Sequence, residues 1–199
     1  MKRYQTFITF LALGLLLSCQ YEFPEPDLLT PDSGQADFTK MVTIGSSITA
    51  GVMDAALYNR SQQNSFAVIL ANQMKEVGGG VFNVPEIDAE VGDLILTPTG
   101  GGLGRLILTV NRNTGSILPS PIIPGNPITP FTGDKSSINN FGINGLSLAG
   151  ALLPASGDLQ NPTHPLFNPY YARFASNPGM STPIEDAAAA LADGGTFFV

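Results

Sequence analysis

The apolar positions of this chain change period several times, and each change predicts an element. Residues 38–44 (FTKMVTI) alternate in part and then turn continuously apolar, the pattern of a strand covered on both faces in a parallel sheet. Gly45, the paired serines Ser46 and Ser47 and a stretch of small residues follow, which predicts a tight turn and a helix start. Asn64 or Ser65 then caps a clearer helix. Phe66, Ile69, Leu70, Met74 and Val77 recur there at helical spacing until Gly78, Gly79 and Gly80 end it. Residues 105–110 (RLILTV) and 116–118 flank Asn111-Arg112-Asn113-Thr114-Gly115 and predict a hairpin. Residues 137–147 read as a short strand, a glycine turn and a helix start, residues 184–191 as an alanine-rich helix, and residues 194–199 as a last strand. Strands alternating with helices point to an α/β fold with a parallel sheet.

Between the first clear helix and the second glycine turn, residues 81–137 show little helical period. A segment this long carries function or structure of its own. Residues 119–130 (PSPIIPGNPITP) lack too many N–H groups for a central strand. The glycines of residues 99–104 (TGGGLG) invite comparison with a phosphate-binding loop. No third glycine stands in the dinucleotide register, no Gly-Lys-Ser/Thr follows and no helical pattern comes next, so a turn is the better account. The whole insertion, about residues 81–137, is expected to form a wall over the site and to shape its pocket.

Composition places the chain among globular proteins: 43% of residues are hydrophobic and 13% charged. The 22 glycines and 16 prolines stay below the roughly 25–30% that marks low complexity and call for turn-rich loops. Lys2 and Arg3 precede an apolar run over residues 7–17, which suits a signal-peptide core and is too short for the roughly 20 residues of a spanning helix. The run closes on Leu16-Leu17-Ser18-Cys19, which resembles the bacterial lipobox. That resemblance implies removal of residues 1–18, lipidation of Cys19 and a stable membrane anchor. Cys19 is the only cysteine, so no internal disulfide forms. Without Lys2 and Arg3 the chain has 7 basic against 16 acidic residues, a net charge of −9, which argues against nucleic acid as a partner. Residues 19–37 then form a lipidated, acidic, proline-punctuated tether, and residues 38–199 the folded domain. Glu22, Glu25 and Asp27 resemble the acidic stretch that marks surface display in some Gram-negative lineages.

Ser47 stands at the turn between the first strand and its helix, where open α/β sheets keep their sites. The run GSSITAG, with ALYNRSQQNSFAVILA after it, resembles the first conserved block of the GDSL or SGNH hydrolases, most closely their Gram-negative lipoprotein members. The resemblance implies a three-layer, flavodoxin-like α/β fold and ester hydrolysis by acyl transfer. It makes Ser47 the nucleophile and the donor of one oxyanion N–H. Ser46 replaces the aspartate of that block and can order the turn only more weakly; Ile48 replaces its leucine. Asn140-Phe141-Gly142-Ile143-Asn144-Gly145 resembles the second block, N-x-G-x-x-G, and by the same resemblance Gly145 supplies a second oxyanion N–H. Glycine there lets backbone approach a reacting carbonyl. Either stretch also reads as a plain strand-to-helix turn.

His164, the only histidine, lies in Asn161-Pro162-Thr163-His164, which imitates the spacing of the family's D-x-x-H block. It comes between the second and third core strands, with asparagine for the aspartate, and is read as a loop histidine. The family's G-x-N-D block would follow the strand at residues 197–199. The chain is therefore expected to be the N-terminal portion of a longer hydrolase, its fold incomplete at the C-terminus and its base beyond Val199. A hydroxyl without a base is a poor nucleophile, so residues 1–199 alone are expected to be inactive. No metal or organic cofactor is expected, since neither a ligand cluster nor a nucleotide motif is present. The expected partners are a small-molecule, lipid or glycan ester and the outer membrane, through Cys19. The rival reading is a non-catalytic surface lipoprotein that binds lipid or glycan.

Overall fold

In the computed structural model, which describes residues 30–94 and 102–199, the apolar run Met41–Gly45 forms the central strand β1 of a small parallel sheet. The expected leader, Cys19 and the tether up to residue 29 lie outside the described residues, as do Thr99, Gly100 and Gly101. Strand β1 is followed by α1 (Ser47–Ala50), β2 (Ala56–Leu57), α2 (Asn59–Gln63) and α3 (Phe66–Lys75). Next come β3 (Asp93–Leu94), the hairpin strands β4 (Leu106–Val110) and β5 (Ile117–Pro121), and β6 (Asn140–Gly142). The chain continues through α4 (Leu148–Leu152), α5 (Pro169–Ala172), α6 (Pro183–Ala192) and β7 (Phe197–Phe198). The sheet has the order β6-β1-β7, all parallel; β2 and β3 pair antiparallel, as do β4 and β5. This is a mixed α/β domain, and residues 32–199 make up one compact unit.

Successive side chains of a strand point to opposite faces, and β1 uses both. Met41 packs with Ala71 and Met74 of α3, joined by Phe38, Phe82 and Phe197. Its neighbour Val42 belongs to a larger cluster with Phe141, Tyr171, Phe174 and the α6 residues Ala187 and Ala190. The sheet is thus covered on both sides, as a continuously apolar strand requires.

Helix α3 starts where its cap predicts: Ser65 accepts a hydrogen bond from the Val68 N–H. Its buried face differs from the apolar spacing in the sequence. Ala67, Ala71 and Met74 are buried, whereas Phe66 and Ile69 are 41% and 48% exposed. Ala71 and Met74 pack against Met41 with Leu70 beside them, and Phe66 and Ile69 turn outward. The helix after Ser46 is likewise shorter than the run of small residues suggests. It ends after one turn at Gly51, whose φ of 87° is left-handed, and the chain then enters β2.

The residues between α3 and β6 are partly built into the domain. Ile87 and Ala89 are buried in the larger cluster, and Ile128 and Phe131 pack against it. The hairpin β4–β5 forms around its glycine-bearing turn and is tied back by the Leu106 N–H to the Asp54 carbonyl and by an Arg105–Asp54 ion pair. Strand β5 extends to Pro121 at an edge, where missing N–H groups are tolerated.

Candidate active site around Ser47

Parallel pairing decides where the two glycine turns meet. Register sets Thr43 opposite Asn140, Ile44 opposite Phe141 and Gly45 opposite Gly142, so β1 and β6 release their chains at the same end of the sheet. Two glycines let α1 sit there. A Cβ on Gly142 would lie 2.4 Å from the Ala50 backbone nitrogen, and one on Gly45 would lie within the Thr49 side chain.

Asn140, only 1% exposed, ties this corner together. Its Oδ1 accepts from the Thr43 hydroxyl (3.0 Å) and the Gly142 N–H (2.8 Å), and its Nδ2 donates to the Thr49 carbonyl (3.2 Å). One buried amide thereby joins β1, α1 and the end of β6, with both of its ends satisfied.

Ser47, half-buried, then meets the second turn. Its hydroxyl donates to Asn144 Oδ1 at 2.8 Å and accepts from the Gly145 N–H at 3.3 Å. Gly145 has a φ of +71°, and a Cβ there would meet nothing closer than Asn168 Nδ2 at 4.0 Å. Asn144 is 5% exposed, and its carbonyl accepts from Asn168 Nδ2 (2.8 Å). Asn168 in turn caps α5 through its Oδ1. Tyr170, on the first turn of α5, is 6% exposed. Burial raises the pKa of its hydroxyl; the Asn144 side chain acts against that shift and the Asp93 charge adds to it.

The two residues singled out by their motifs, Ser47 and Gly145, are therefore in contact. Ser46 is the N-cap residue of α1 but its side chain makes no capping bond. His164 lies in a turn where its Nδ1 accepts from the Leu166 N–H (3.1 Å) and its carbonyl from the Phe167 N–H. Among the described residues, the hydrogen bonds of the Ser47 hydroxyl are those to Asn144 and Gly145, and neither partner is a base. Asn144 and Asn168 complete the site and were not singled out by sequence. Asn168 had a readable signal, a cap asparagine followed by proline at the first helical position. Asn144 had none beyond standing next to Gly145.

A backbone N–H beside a serine oxygen can receive the oxygen of a carbonyl that the serine attacks. Among the described residues, no group of three or more His, Cys, Asp or Glu side chains could hold a metal ion. Comparison with protein-family models, curated proteins and solved structures finds no match to this chain.

Proposed function

We propose that this domain carries the nucleophile end of a serine ester hydrolase of the SGNH type, with that family's three-layer, flavodoxin-like arrangement, on an exported protein anchored to the outer membrane through Cys19. The observation that carries the reading is the hydrogen bond from the Gly145 N–H to Ser47 Oγ, made between two motif residues 98 positions apart. In this reading Ser47 Oγ attacks the carbonyl of a lipid, glycan or small acyl ester. The Ser47 and Gly145 N–H groups hold the oxyanion, the alcohol leaves, and water releases the acid. Asn144 fixes the resting orientation of the hydroxyl. An amide oxygen does not take a proton, so Asn144 orients the hydroxyl and does not serve as its base.

A fluorophosphonate probe applied to the protein as its host makes it is expected to label Ser47, with labelling lost in Ser47→Ala. A folded host protein that stays unlabelled overturns the reading. Residues 1–199 alone are expected to leave p-nitrophenyl esters intact; turnover abolished by Ser47→Ala would show that the base lies within them. A non-catalytic surface lipoprotein that binds lipid or glycan is the second reading. It is favoured by the Ser47 proton resting on an amide oxygen, and an unlabelled Ser47 would select it.

A further inference from the structure

Beside α5 lies a cavity of about 230 Å³, walled by Ile128, Phe131, Leu159 and Phe167, with Lys135 and Arg173 also lining it. It shares no residue with the Ser47, Asn144 and Gly145 group. Arg173 is 7% exposed. Its Nε donates to the Thr129 carbonyl at 3.0 Å, its two terminal nitrogens to the Pro85 and Glu86 carbonyls, and its guanidinium carbon sits 5.7 Å from the centre of the Phe131 ring. Lys135 Nζ donates to the Ala175 carbonyl at 2.7 Å. Three carbonyls occupy three of the five guanidinium N–H groups, and one carbonyl occupies one of the three on the ammonium.

Carbonyl dipoles solvate a cation but carry no opposite charge. Among the described residues the groups bonded to these two cations are carbonyls, not carboxylates. A buried charge without a counter-charge is unfavourable, and burial draws the Arg173 pKa down to about 10. The chain has 16 acidic residues against 9 basic, yet the lining of this cavity holds two cations and no carboxylate. An apolar wall with an unanswered positive edge fits one kind of small molecule, an anion with an apolar tail. The volume is below the ~300–1,000 Å³ of drug-sized sites, which suits a small ligand.

We propose that this cavity binds a short-chain monocarboxylate, its head at Lys135 and Arg173 and its tail against Phe131, Leu159 and Phe167. The proposal stands apart from the chemistry at Ser47, since no residue is shared.

Isothermal titration of the full chain with hexanoate tests it, with hexan-1-ol and hexyltrimethylammonium as probes of the same tail. Saturable one-to-one binding of hexanoate is expected, at least tenfold tighter than either control. Lys135→Gln is expected to weaken it about tenfold, the loss of one partly desolvated charge pair. Leu159→Trp, at a wall residue that is 54% exposed, fills the space and is expected to abolish binding while leaving the thermal transition in place. Arg173 is left unmutated because it braces three carbonyls. No saturable binding, equal binding of the alcohol, or an unchanged Lys135→Gln variant would each overturn the proposal. Ser47→Ala is expected to bind hexanoate normally; loss of binding there would assign the ligand to the Ser47 group instead.

Discussion

Gly142, which ends β6, and Gly145, in the turn after it, stand three residues apart and need glycine for different reasons. At Gly142 the need is space, because a Cβ would lie 2.4 Å from the Ala50 nitrogen and force α1 off β6. At Gly145 the need is conformation: φ is +71°, while the nearest atom to a Cβ would be 4.0 Å away. Gly145→Ala is expected to cost about 1–2 kcal/mol, the strain of a left-handed alanine. Gly142→Ala adds a steric clash with backbone and is expected to cost about 3 kcal/mol or more. Urea unfolding of the two variants compares them directly. A Gly142→Ala variant no less stable than Gly145→Ala would mean that α1 does not sit against β6 as described. Both glycines were legible in the sequence, but the distinction between them was not, since only the neighbour in space tells crowding from backbone strain.

At the scale of elements, α6 shows how local signals and distant contacts combine. Thr182 accepts from the Glu185 N–H, Glu185 answers to the Thr182 N–H, and Pro183 occupies the first turn, a start readable from sequence. Its anchorage was not readable. Asp186 accepts from the Tyr171 hydroxyl (2.8 Å) and from the Ser176 N–H (3.1 Å) and hydroxyl (2.6 Å), which fastens α6 to the end of α5. Burial, with the Asp186 and Glu185 charges adding to it, holds the Tyr171 pKa well above its ordinary value of 10.0. The folded state therefore keeps this proton where the unfolded chain, with an ordinary tyrosine, loses it. The stability so contributed is complete below pH 10 and falls as pH rises beyond it. Denaturant unfolding at pH 8 and pH 11 is expected to show a smaller loss in Tyr171→Phe than in the parent chain. Comparing the two chains cancels other alkaline titrations, Arg173 included. Equal losses would remove Tyr171 as the cause.

At the scale of the whole molecule, the proposed anchor at Cys19 can be tested directly. The signal-like leader, the lipobox-like Leu16-Leu17-Ser18-Cys19 and the acidic stretch after it follow one another in the order an exported lipoprotein requires. Cys19→Ser is expected to move the protein from the membrane to the soluble fraction of its host and to remove diacylglycerol from its N-terminal peptide. Fractionation and mass spectrometry check both, and an unmodified Cys19 in the host protein would overturn the anchor.

The sequence by itself determined the elements whose causes are local: the apolar run of β1, the serine turn after it, the glycines at Gly142 and Gly145, the hairpin around Gly115 and the alanine-rich run of α6. Each follows from side chains within a few residues of one another. The tertiary structure alone decided that Gly45 lies opposite Gly142, that α3 buries its alanines rather than Phe66 and Ile69, and that Asn144 accepts the hydrogen bond of the Ser47 hydroxyl. Those outcomes depend on pairing and packing between residues as far as 97 positions apart, and no period along the chain records such a contact.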